Sequence, residues 1–171
     1  MEIITLGNPI LREPAKPVTQ ITNPHFEQLI DSLISTATEA QGVGIAAPQV
    51  AQSCRLFIVA SRPNQRYPHA PTMEPTAMIN PKLLSHSGEI VKDWEGCLSV
   101  SGIRGLVPRY REIEVEYTNR TGQQERKILT DFVARIFQHE LDHLDGILFI
   151  DRLEDEQDLY TEAEYQKIIS G

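Results

Sequence analysis

Residues 132–144 read Phe132-Val133-Ala134-Arg135-Ile136-Phe137-Gln138-His139-Glu140-Leu141-Asp142-His143-Leu144. Phe132, Val133, Ile136, Phe137, Leu141 and Leu144 recur on a helical period and reach most of the way round, the pattern of a buried helix. His139 and His143 are i and i+4, so their side chains leave one face about 5–6 Å apart and can meet at one metal ion. Glu140 follows the first histidine, where a general base for a water on that ion would stand. An HExxH match also arises by chance on ordinary helices, with histidines that cap or pair. Burial argues against that here, because each unsatisfied buried polar group costs roughly 1–3 kcal/mol and a metal removes the cost. Metal-assisted hydrolysis is the leading reading.

A catalytic site of this kind takes three protein ligands and keeps one position open. The metzincin continuation HExxHxxGxxH fails, because Gly146 fits but Phe149 stands where the last histidine belongs. An HExxH zinc peptidase with a downstream glutamate ligand would use Glu162 or Glu164. Both lie in a polar acidic tail, where a solvated helix face is the plainer role. Upstream, Glu95-Gly96-Cys97-Leu98-Ser99 holds one of the two cysteines. A thiolate suits zinc or ferrous iron. The bland reading of a cysteine is a small buried hydrophobe. That reading fits Cys54, which leads into the apolar run 56–60, better than Cys97 beside a glycine that permits close approach. A closed structural metal site would need Cys54 as fourth ligand, and nothing near it has ligand spacing.

The chain has 171 residues, enough for one domain with a proper core, and a second domain is not expected. Sixteen basic against 24 acidic side chains give a net charge of −8, which disfavours a dedicated nucleic-acid binder. Two cysteines with unlike neighbours give no disulfide framework, and a thiolate ligand suits a reducing compartment. No apolar run approaches the roughly 20 residues that span a bilayer. Met1-Glu2-Ile3-Ile4 does not begin like a secretory signal, so the expected location is cytoplasmic.

Asn23-Pro24 opens a helix with a capping residue and a proline at the first turn. Phe26, Leu29, Ile30, Leu33, Ile34 and Ala37 form its apolar stripe, and Gly42 marks its end. Residues 55–60 read as a buried strand and the proline-rich 61–76 as a loop. Residues 77–81 and then Leu83-Leu84 read as short strand pieces. Ile113, Val115 and Tyr117 alternate with glutamates as in a half-buried strand, 119–122 is a hairpin turn, and 124–129 returns. The HExxH helix starts near Thr130 and stops before Gly146. The tail 154–171 reads as an acidic helix. Strands in the middle with helices at each end make an α+β domain.

The stretch 95–99, the stretch Gln138-His139-Glu140-Leu141-Asp142-His143-Leu144-Asp145-Gly146 and a third, Gly42-Val43-Gly44-Ile45-Ala46-Ala47-Pro48-Gln49, together resemble the three motifs of the peptide deformylase family. The opening Leu6-Gly7-Asn8-Pro9-Ile10-Leu11-Arg12 is also similar, and the resemblance covers about residues 3 to 153. It implies an enzyme that removes the formyl group from the N-terminal formylmethionine of new polypeptides and releases formate. It implies mixed antiparallel sheets packed around a central HExxH helix. Cys97, His139 and His143 would hold Fe2+, with Zn2+ or another divalent metal able to take its place, and Glu140 would be the base. Leu98 N–H and the Gln49 amide would stabilise the oxyanion, although Gln49 read alone could be a surface residue. Gly44, with its neighbours Gly42 and Ile45, would lie along the extended peptide; the glycines could equally just end the first helix. Phe132 and Ile136 share the face of His139 and either line the methionine slot or are plain core. N-formylmethionyl nascent chains are the expected partner, with transient ribosome contact and no nucleic-acid or membrane recognition. Three departures stand out. Ser101 replaces a frequent proline, Arg135 replaces a frequent aliphatic residue, and the tail is acidic where some members carry a basic ribosome-docking extension.

Overall fold

The computed structural model describes residues 1–171. The first helix, α1 (Pro24–Glu39), is capped by Asn23, whose side chain accepts from the His25 N–H at 2.8 Å. Strands β1 (Gly44–Ala46), β2 (Leu56–Val59) and β3 (Thr76–His86) follow, then β4 (Ile90–Cys97), β5 (Val100–Tyr110), β6 (Glu112–Thr118) and β7 (Gln124–Thr130). The HExxH helix is α2 (Asp131–Leu144), and the chain closes with β8 (Leu159–Thr161) and α3 (Glu162–Ser170). One antiparallel sheet runs β1-β2-β3-β6-β7 and a second runs β4-β5-β8, so the architecture is α+β.

The burial pattern explains which segments are legible. β2 is buried on both faces: Leu56 and Ile58 pack with Ile30, Leu33 and Ala37 of α1, while Phe57 and Val59 pack with Ile136 and Phe137 of α2. A doubly covered strand loses alternation and reads as an unbroken apolar run. β6 keeps its alternation because only one face meets the core, through Ile113, Val115 and Tyr117. Helix α2 packs against β1 and β2 and also touches β5, which sets it between the two sheets.

Three details depart from the sequence reading. The strand pieces around Pro81 are one strand, β3, whose register slips between Ile79 and Lys82. Proline has no N–H for a ladder, and the irregularity is how the strand accommodates it. The β4–β5 hairpin carries no clean alternation in sequence because charged side chains turn inward along it. The tail is helical only over Glu162–Ser170; before that, β8 adds to β5 with Ile103 opposite Thr161. No helix is long and apolar enough to cross a membrane.

Candidate active site

One helix and one hairpin tip build the site. His139 and His143 leave the same face of α2, with ring centroids 5.2 Å apart. Cys97 ends β4 and pairs with Val100, so Leu98 and Ser99 form the turn and the thiol sits at the tip of the hairpin. Its Sγ lies 3.3 Å from His143 Nε2. One donor atom from each of Cys97, His139 and His143 falls within 4.8 Å of the others. The N-terminal segment pins the hairpin tip and the turn that carries Gln49: Leu6 N–H donates to Ser99 O and Ile4 N–H to Gln49 O, each at 2.8 Å.

Gln49 is buried, not on the surface, at the end of a short 3₁₀ turn. Its Oε1 accepts from the Ala46 N–H at 2.9 Å, which leaves Nε2 to face Ser99 Oγ at 3.1 Å and Cys97 Sγ at 3.7 Å. Gly44 runs so close to the helix that a Cβ there would lie 2.8 Å from Glu140 Oε2 and 3.0 Å from Ile58 O. Only glycine lets β1 pass this near the acid.

Behind the site lies a buried charge network. His139 Nδ1 is 2.8 Å from Glu95 Oε1. Glu95 also accepts from Arg109 Nε and Nη2 at 2.9 Å each and from Arg135 Nη1 at 2.7 Å. Arg109 reaches on to Asp142 at 2.7 Å, and Arg152 meets the same carboxylate at 2.9 Å. Burial opposes a charged Glu95, but Arg109 and His139 outweigh it and hold this carboxyl well below the usual range. The pair fixes His139 with Nδ1 engaged, so Nε2 is the nitrogen left for the site. Arg135 therefore points its charge at Glu95 and at the carbonyls of Val107 and Val91, at 2.8 and 2.7 Å.

The titrations of the reactive groups follow from the same surroundings. Burial disfavours a Cys97 thiolate, yet His143 and His139 beside it bring the thiol well below its ordinary value. Burial likewise opposes a charged His139, but Cys97, Glu95 and Glu140 push it well above. Glu140 is raised, by burial first, with the two histidines opposing. Its Oε1 and His143 Nδ1 are buried without a hydrogen-bond partner. A thiolate, two imidazoles and an unpartnered carboxylate around one point form a donor set that fits a divalent cation with an adjacent base.

A cavity opens over these groups. Val43, Gly44, Phe132, Ile136, Trp94 and Tyr67 are among its walls, alongside Gln49, Cys97, Leu98, His139 and Glu140. Phe132 and Ile136 thus line a slot. Two expected residues do not. Ile45 is fully buried on the α1 side with Ile30 and Leu33, because neighbours on a strand face opposite ways. Gly42 ends the first helix, its N–H bonded to Ala37 O at 2.8 Å, and stays off the cavity wall. The alternative ligands are also elsewhere. Glu162 pairs with Arg104 at 2.9 Å, Glu164 caps α3 at the Thr161 N–H at 2.9 Å, and Cys54 packs beside the α1 cluster. Residue patterns did not reveal Glu95, Arg109 and Asp142 as one unit, since 14 and 33 residues separate Arg109 from its partners. They also missed Trp94 and Tyr67, which stand within β4 and in a loop.

Comparison with known proteins agrees with the geometry. The family model for polypeptide deformylase matches residues 1–158. Peptide deformylase 2 of Nostoc sp. is 66% identical over 170 residues, covering 99% of this chain and 95% of that protein. Peptide deformylase 2 of Shewanella oneidensis is 46% identical over 152 residues, 89% of this chain and 83% of that one. Among solved structures, the Met-Ala-Ser-bound class I type b peptide deformylase of Acinetobacter baumannii superposes with a TM-score of 0.87 at 44% identity, covering 90% of this chain and 98% of that one.

Proposed function

The chain belongs to the peptide deformylase family, metal-dependent enzymes that remove the formyl group from newly made polypeptides, and we propose which of its residues do the work. Cys97, His139 and His143 hold the metal, with Fe2+ as the working ion and Zn2+ as an alternative. The observation that carries this is the convergence of the three donor atoms within 4.8 Å beside an unpartnered Glu140. When bound, such an ion supplies Lewis acidity and makes water a nucleophile near neutral pH.

The chain's own groups do the rest. Glu140 takes the proton from the attacking water as its oxygen bonds to the formyl carbon. Burial raises the Glu140 carboxyl, which brings a base closer to the operating pH. The carbonyl oxygen gathers charge and meets the Leu98 N–H and Gln49 Nε2. Anchoring Gln49 Oε1 to the Ala46 N–H keeps that donor aimed. The C–N bond then breaks, Glu140 returns the proton to the leaving nitrogen, and formate and a free amine result. Val43, Phe132, Ile136 and Trp94 form the apolar slot for the methionine side chain, with Gly44 backbone along the peptide. The Met-Ala-Ser bound in the Acinetobacter relative is what deformylation of a formyl-Met tripeptide leaves, which supports a formyl-Met peptide as the substrate. The reaction belongs in the cytoplasm on nascent chains, in transient contact with the ribosome.

The test is formate release from a formyl-Met peptide by anaerobically prepared iron enzyme, with Glu140→Gln beside the wild type. The variant should keep its metal and lose roughly 100- to 10,000-fold in rate, the usual span for a general base. Turnover near the wild-type level would take Glu140 out of the mechanism.

A further inference from the structure

The outer wall of the slot is not self-supporting. Arg104 on β5 is 1% exposed. Its guanidinium lies 4.4 Å from the ring centroid of Tyr165 on α3 and 5.1 Å from that of Tyr67. Its Nε donates to Glu162 Oε2 at 2.9 Å. Tyr67 in turn packs on Phe132, centroids 5.2 Å apart, and its hydroxyl accepts from the Gly96 N–H at 3.1 Å. Trp94 is braced from the same side by Tyr160 and Tyr165, at 4.9 and 5.0 Å. Tyr67, Trp94, Gly96 and Phe132 all line the cavity. A guanidinium between two aromatic faces is a stiff, planar spacer, attracted to both.

We propose that Arg104, clamped by Glu162 and Tyr165 of the C-terminal segment, is a positioning residue for substrate: it holds Tyr67 against Phe132 and Gly96 and so sets the width of the slot for the first side chain. The inference rests on reading this cavity as the formyl-methionine site. None of Arg104, Glu162 and Tyr165 hydrogen-bonds to Cys97, His139, His143, Glu140 or Gln49, so the clamp governs binding and leaves the chemical step alone. It also gives the acidic tail an inward role: α3 backs the residues that line the cavity, through Arg104 and Trp94.

The experiment measures kcat and KM for a formyl-Met tripeptide on full-length holoenzyme, with metal content checked in each preparation. The proteins are the wild type, Tyr165→Phe, Tyr165→Leu, Tyr67→Leu and the Tyr67→Leu/Tyr165→Leu double variant. Tyr165→Leu should raise KM about 5- to 10-fold, the size of one lost cation–π contact, and move kcat by less than about twofold. Tyr165→Phe keeps the ring face and should behave as wild type. The double variant should be no worse than the larger single one, because Tyr165 reaches the slot through Arg104 and Tyr67. Unchanged KM in Tyr165→Leu, additive KM effects, or a loss carried by kcat would overturn the proposal. Should Tyr165→Leu fail to fold, Glu162→Gln at the exposed end of the clamp carries the same comparison, and a wild-type KM there would overturn it. Absence of formate release by the wild type would instead defeat the reading of the cavity itself.

Discussion

At Gly44 a single hydrogen in place of a methyl group decides how near the sheet comes to Glu140. A Cβ would press on Glu140 Oε2, on Ile136 Cγ2 at 2.9 Å and on Ile58 O, and the last is backbone that cannot swing aside. Gly44→Ala should therefore displace Glu140 or open β1 from β2. The expected result is a folded protein with kcat down about 100-fold, the usual cost of a misplacement near 1 Å. Full activity would mean that Glu140 has room to spare. The proposed ligands and base of α2 stand out in the sequence because their spacing is local: His139, Glu140 and His143 need only one helix to be read. Side-chain direction was not legible in the motif: Gly44 and Gln49 face the site, while strand geometry turns the Ile45 side chain to the opposite core.

At the level of elements, the β4–β5 hairpin and α2 are joined by charge and not by apolar contact alone. Glu95 of β4 meets Arg109 of β5 and both Arg135 and His139 of α2. Glu95→Gln would leave two buried arginines short of a partner, so it should cost about 3–5 kcal/mol in denaturant unfolding. It should also weaken metal binding about 10- to 100-fold, because His139 loses the group that orients it. A metal affinity equal to the wild type would reduce the network to scaffolding. This also explains why sequence reading located α1, β2, β6, β7 and α2 but not β4 and β5. α1, β6 and α2 bury apolar side chains in regular periods, β2 is an unbroken apolar run and β7 follows a hairpin turn, whereas the β4–β5 hairpin buries Glu95, Arg104 and Arg109, whose partners lie in other elements. Arg135 stood out in the sequence only as the replacement of a frequent aliphatic residue, and the fold supplies the carboxylate and carbonyls that accept it.

Across the whole molecule the two thiols live in opposite electrostatic settings. Burial pushes the Cys54 thiol up to about 11, with no cation to offset it, while histidines draw Cys97 down. A thiol whose folded value is raised favours the folded state below its ordinary value. That contribution is present below pH 9 and is lost as pH rises to about 11. Alkaline unfolding of the wild type should thus steepen over this window relative to Cys54→Ala; identical slopes would show that the Cys54 thiol is solvated. The same contrast bears on the central claim, that the tip of a hairpin in one layer and a helix between two sheets close on one metal ion. The most direct measurement is metal bound per chain in Cys97→Ala against the wild type, with unfolding followed on both. The account expects about one ion per wild-type chain and loss of the ion from a variant that still folds. A folded Cys97→Ala that keeps its full complement of metal would contradict it, and would move the third ligand to another part of the chain.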